Sequence, residues 1–311
     1  SRAIGRYAKL VADMRRAGER EAQANPKCVD EQCLQRRLKL ARETAGPGAQ
    51  ELARLAVASQ DPGVYSMALF GCRLNPDDGP CAQLSIARWS QLDPGNAVPW
   101  FYLAEEAAAR EDEAALNEAL LRAARARTSD YQWSTVLAMI DHPVAQELAP
   151  APRLVYLSHL LGIYAAFPSP PYKAVLNACK ADRMVDPARK QVCSDLATMM
   201  TERSKSLLEL SLGTAIGERA GWPPDRVQRL RDEKEAINFI EGKDWVPEDV
   251  HSCRFLEQLE SRTKELSSMG ELPSGRQKIA ASGRPVSELA REWRELQRQR
   301  NEASGEKAVS K

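Results

Sequence analysis

The chain has 311 residues, 44 of them Lys or Arg and 43 Asp or Glu, for a formal charge of +1. An apolar fraction of 43% supports a substantial core and excludes wholesale disorder, while the balanced charge, without a local Lys/Arg run, argues against nucleic-acid binding by phosphate neutralisation. No stretch of about 18 or more apolar residues is present, so no membrane span is expected.

From the start of the chain, Ile4, Tyr7, Leu10, Val11 and Met14 fall at three- and four-residue steps, which predicts an amphipathic helix over residues 1–24. Ser1 in place of methionine is compatible with a removed leader or a trimmed chain. The helical pattern resumes over 30–45, where Gly46-Pro47-Gly48 is expected to break it, and a short helix over 49–59 is stopped by Asp61-Pro62-Gly63. The same tripeptide returns at Asp93-Pro94-Gly95, again between two apolar patterns. Residues 96–128 then predict a helix pair. Trp100, Leu103, Ala104 and Ala107 form one stripe and Leu116, Leu120, Ala123 and Ala124 the next, with a break at Arg110–Asp112. No run of alternating β-branched or aromatic residues suggests a strand, and the fold class expected is all-α.

Of seven cysteines, six form local couples separated by five, nine and fourteen positions: Cys28 with Cys33, Cys72 with Cys81, and Cys179 with Cys193. Asn75-Pro76-Asp77-Asp78-Gly79-Pro80 must reverse the chain inside the middle couple, which brings its ends within disulfide reach. The last couple brackets the turn at Asp186-Pro187, and Cys28–Cys33 has the least suitable spacing, awkward within a continuous helix. Oxidised pairs imply an environment outside the reducing cytosol. Cys253 is left over and is expected to be a buried thiol.

Helix-pair spacing carries a second signal. Pro62 and Pro94 are 32 positions apart, and Leu69, Leu103 and Leu137 are successively 34 apart. With Trp100, Leu103 and Ala104 at steps of three and one, and the small Ala123 in the second helix, residues 50–140 resemble the tetratricopeptide repeat family. A preceding copy over 63–95 matches at Leu69, Ala82 and Pro94, while Phe70 stands where glycine is usual and Leu116 where a small residue is usual. The resemblance implies a right-handed superhelix of antiparallel helix pairs with a C-terminal helical extension. Its concave groove would bind a protein or peptide.

Further along, residues 152–167 are apolar on most of their circumference, and the prolines of "FPSPPY" at 167–172 end that helix. Helices are expected over 171–183, 187–203, 205–220, 224–241 and 247–268, the last with Val250, Cys253, Phe255, Leu256 and Leu259 inward. The glycines and prolines that follow Gly270 predict a flexible linker, then a short amphipathic helix over 286–300 carrying Leu289, Trp293 and Leu296, then a frayed tail. Docking of that helix on its own chain is the favoured arrangement, since Trp293 is costly to leave wet. These breaks divide the chain into an N-terminal array (1–168), a C-terminal helical part (169–269) and a tail (270–311).

Catalytic constellations are not found. His142 precedes a proline in a turn, His159 lies in an apolar helix, and His251 and Cys253 stand two apart, which puts them on nearly opposite faces of a helix. The carboxylates Glu105–Glu106 and Glu111–Asp112–Glu113 sit at helix ends and turns, where the helix dipole and solvent favour them. No enzyme activity, metal or cofactor is expected. Aromatic side chains are the candidate protein anchors: Phe101, Tyr102, Tyr131, Trp133 and Trp293. The reading is a protein-binding module, exported to the periplasm of a Gram-negative bacterium, as an adaptor or scaffold of the envelope or a secretion system. An immunity protein against a secreted toxin is the alternative, and a cell-wall-active hydrolase or lyase ranks below both.

Overall fold

A computed structural model describes residues 31–73, 76–77, 79–131, 148–166, 169–244 and 252–309. Among them there are only helices and turns. In chain order they are α1 (Glu31–Val57), α2 (Pro62–Cys72), a 3-10 turn (Gly79–Gln83), α3 (Ile86–Leu92), α4 (Ala97–Ala109), α5 (Glu113–Arg125), α6 (Pro150–Ala166), α7 (Lys173–Ala178), a 3-10 turn (Arg183–Val185), α8 (Pro187–Glu202), α9 (Leu207–Arg219), α10 (Pro224–Asp244), α11 (Cys253–Ser268), α12 (Glu271–Ser282) and α13 (Val286–Val309). The helix expected over 1–24 lies outside the described residues.

Side chains start most of these helices by accepting bonds from the free amides of the first turn. Asp61 Oδ1 caps α2 from Gly63 N (2.8 Å), with Pro62 at the first helical position. Ser85 caps α3, Asn96 caps α4, Asp112 caps α5, Asp186 caps α8, Ser206 caps α9 and Ser252 caps α11. The two Asp-Pro-Gly tripeptides are thus not equivalent. Asp61 opens a helix, whereas Asp93 ends α3 and leaves Asn96, three residues on, to open α4.

Packing follows a line. Helix α1 lies on α2, α2 on α3, α3 on α4, α4 on α5, α5 on α8, α8 on α9 and α9 on α10, and α10 meets both α12 and α13. Helix α6 is left out of the line and packs on α11. At the α4–α5 contact Ala104 and Ala123 are fully buried, and the Arg122 guanidinium covers Trp100 at 5.9 Å. Phe70, Trp89 and Tyr102 join α2, α3 and α4 through ring contacts of 5.8–6.1 Å. The larger apolar cluster runs from Ala49 to Leu266 without interruption at the prolines near 170, and a smaller one gathers Leu210, Ile237, Leu272, Ile279 and Leu289.

Two disulfides form as the turns predicted. Cys72–Cys81 has a Cα–Cα separation of 5.6 Å and Cys179–Cys193 one of 5.7 Å. Cys28 lies outside the described residues, as does the side chain of Cys33. Cys253, expected to be buried, is instead an exposed free thiol at the first position of α11, with Leu259 turned inward.

Four further expectations are corrected. Helix α1 runs through Gly46-Pro47-Gly48 unbroken; its C-terminal half is held by burial of Leu52, Ala53 and Ala56 against α2. The helix expected over 171–183 stops at Ala178. The segment after Gly270, read as a linker, is helix α12. Pro273 stands in its first turn, where no amide is needed, and Gly283 ends it in the left-handed conformation (φ 64°). Leu272 and Ile279 bury themselves in the smaller cluster, and Lys278 Nζ bridges Glu265 (3.0 Å) and Glu241 (3.4 Å). Helix α13 docks on α10 and extends through Val309 where a frayed tail was expected.

The docking of α12 needs a residue without a side chain at 275, because a Cβ there would stand 2.5 Å from Ile237 Cγ2. Gly275→Val is expected to lower stability by about 1–3 kcal/mol, read as an earlier urea midpoint. An unchanged midpoint would show that α12 is not packed on α10 in this way.

Candidate functional site

The structure concentrates its polar organisation along one seam, where the loops between packed helices run beside one another. Arg127 N donates to Gly95 O (2.9 Å) and Ala97 N to Thr128 O (2.9 Å). One step on, Ser129 N donates to Arg203 O (3.3 Å) and Lys205 N returns to Ser129 O (3.4 Å). Then Leu272 N donates to Lys205 O (3.0 Å). Two of these contacts are isolated parallel bridges, Asn96 with Thr128 and Ser129 with Ser204.

Side chains lock the seam. Asn96, wholly buried, uses both ends of its amide: Nδ2 donates to Asp130 O (2.7 Å) and Asp93 Oδ2 (2.9 Å), and Oδ1 accepts from Asp130 N (3.0 Å) and Val98 N (3.2 Å). Arg203 Nη1 reaches Ala126 O (2.9 Å), and Lys205 Nζ pairs with Asp130 (2.6 Å).

Beneath the seam lies Glu209, fully buried on the first turn of α9. Its Oε1 accepts from Tyr172 Oη (2.6 Å), Ser129 Oγ (2.8 Å) and Tyr131 Oη (3.2 Å), and the two tyrosine hydroxyls are themselves hydrogen-bonded. Burial raises the Glu209 pKa, opposed by the donors Ser204, Tyr172, Ser129 and Tyr131. Burial, followed by the Glu209 charge, pushes both tyrosine pKa values up as well. The carboxyl thus joins the loop after α5, the start of α7 and the start of α9. A raised carboxyl beside phenols has the make-up of a general acid, but at 0% exposure and with hydroxyls of its own chain crowded on Oε1 it acts as a structural joint.

Among the predicted anchors, Phe101 is buried edge-on against Tyr172 at 5.4 Å, and Tyr131 is buried in the Glu209 joint. Both serve contacts within the chain. Tyr102 is partly buried in the ring cluster, where burial raises its pKa. Trp293 is partly buried, its ring beside Gly242 of α10. Trp133, His142 and His251 lie outside the described residues, as does the His159 side chain. Among the described residues no group of three or more His, Cys, Asp and Glu could hold a metal ion, and no helix is long and apolar enough to cross a membrane. The sequence carries one sign of the joint: Glu209 stands on the stripe of α9 that includes the buried Gly213 and Ile216. Comparison with protein-family models, curated proteins and solved structures finds no match.

A carboxyl whose pKa is higher in the folded than in the unfolded chain contributes stability that is complete below its unfolded value, near 4.5. That contribution is lost as pH rises through the raised value. Glu209→Gln keeps the shape of the protonated group. It is expected to match wild type at about pH 4 and to gain on it toward about pH 8, followed by urea unfolding across that range. A difference that is flat or falls with pH would contradict the buried, raised carboxyl.

Proposed function

We propose that the chain is a protein-binding helical array, a right-handed superhelix of the tetratricopeptide type that serves as an adaptor or scaffold. The observation that supports this most is the line α4–α5–α8–α9, in which each helix is too short to bury its own apolar stripe and packs on the next. Stacking of that kind makes a long, stiff surface, and stiffness lowers the ordering cost of binding. Surface residues of α4 and α5 and of the neighbouring α8–α9 pair line the binding face, while Phe101 and Tyr131 hold it from behind. The two disulfides favour an oxidising compartment, the periplasm or another exported space.

Two measurements on the native protein test this. A non-reducing peptide map is expected to recover Cys72 joined to Cys81 and Cys179 joined to Cys193. Affinity purification with mass spectrometry from an envelope fraction is expected to return a stoichiometric protein partner. A single secreted toxin as that partner would make the chain an immunity protein. Reduced thiols would remove the exported assignment, and the absence of any stoichiometric partner would remove the adaptor reading.

A further inference from the structure

A cleft of about 610 Å³ opens between α10, α12 and the start of α13, within the roughly 300–1,000 Å³ range of ligand-binding sites. Its floor is apolar, made by Leu230, Ile279 and Val286, and its rim carries Arg226, Arg229 and Arg276. Two of these guanidinium groups are held in place. Arg226 lies 3.6 Å over the Trp222 ring and donates to Glu202 (3.1 Å) and Thr198 (3.4 Å). Arg276 donates to Glu233 (2.5 Å) and to Thr201 O (2.8 Å). Each guanidinium has five N–H donors, so these bonds leave others to offer.

The lining holds three arginines and two carboxylates, and each arginine has a carboxylate partner. Of its two carboxylates, Glu233 is taken by Arg276, and Asp232 is bonded by Arg294, which does not line the cleft. The partners of Arg226 and Arg229, Glu202 and Asp225, also lie outside the lining. Arg229 and Asp225 are both more than two-thirds exposed, at 69% and 67%, and a surface pair of that kind is easily exchanged for another carboxylate. What faces inward is an oily floor under fixed and releasable cations. Arg229 and Ser287, both exposed, stand at its edge, so a chain segment can enter from solvent.

We propose that this cleft docks a peptide segment presenting an apolar side chain beside a carboxylate. The apolar group would cover Leu230, Ile279 and Val286, and the carboxylate would bond the guanidinium rim in the bidentate manner arginine favours. The inference shares only its ligand class with the adaptor reading, since the cleft belongs to the C-terminal helices and not to the α4–α5 face.

The test pans a phage-displayed random peptide library on the full chain, on Arg229→Glu and on Ser287→Trp. Both substitutions fall at exposed positions and are checked for unchanged thermal unfolding. The wild-type chain is expected to enrich Asp or Glu next to Leu, Ile, Val or Phe. Retention of those clones is expected to fall roughly tenfold or more on Arg229→Glu, through charge reversal, and likewise on Ser287→Trp, which fills the mouth. No enriched motif, a basic or purely apolar motif, or retention by either variant equal to that by wild type would overturn the proposal. Failure of the cleft in this test leaves the adaptor reading standing, because a partner held on the α4–α5 face would bind both variants as well as wild type.

Discussion

Short helices end often, and every end leaves backbone groups that must find partners or remain in water. This chain meets that demand by laying its inter-helix loops side by side. Gly95 and Ala97 bond the 127–128 backbone, Ser129 bonds residues 203 and 205, and Lys205 bonds Leu272. The same loops set the order of the helices they connect, which explains how α5 can pack on α8 although α6 and α7 intervene in sequence. Asn96 and Glu209 are the side chains that make the arrangement specific. Each is fully buried, and each ties together segments distant in the chain.

Much of this was legible from residue patterns, wherever local chemistry decides the outcome. The α4–α5 pair, its break at Arg110–Asp112 and the small Ala104 and Ala123 at its contact follow from a 3.6-residue period and from side-chain volume. The disulfides followed from chain reversal, since a turn rich in Pro, Asp and Gly leaves Cys72 and Cys81 few other relative positions. What remained hidden was decided by packing. The segment 271–282 has the glycines and prolines of a linker, yet Pro273 falls in a first turn and Gly275 opposite Ile237, so both are compatible with a docked helix. Pro47 likewise sits inside α1, whose following turns are buried. Cys253, expected on the apolar side of its helix, is exposed at the first position of α11, and the joint at Glu209 depends on Tyr172 and Ser129, which no local pattern connects to it.

The two halves of the molecule are held by different forces. Around α2 to α5 the contacts are rings, alanines and a disulfide, with few ion pairs. Around α10 to α13 the apolar cluster is small, and Arg262, Lys278, Glu241 and Glu265 form a partly buried charge network between α10, α11 and α12. Networks of this sort hold geometry better than isolated surface pairs do. Under the adaptor function proposed above, an N-terminal stack with an apolar spine and a C-terminal bundle with charged walls would present partners with unlike surfaces.

The role of the loop seam is open to direct measurement by native-state hydrogen exchange at its amides. If cross-loop bonding holds the array together, Ala97, Ser129, Lys205 and Leu272 will exchange as slowly as the centres of α4 and α9 and will open in one cooperative step. Exchange at the rate of free loops, or separately at each of the four positions, would mean that the helices are held by their apolar faces alone and that the seam is incidental.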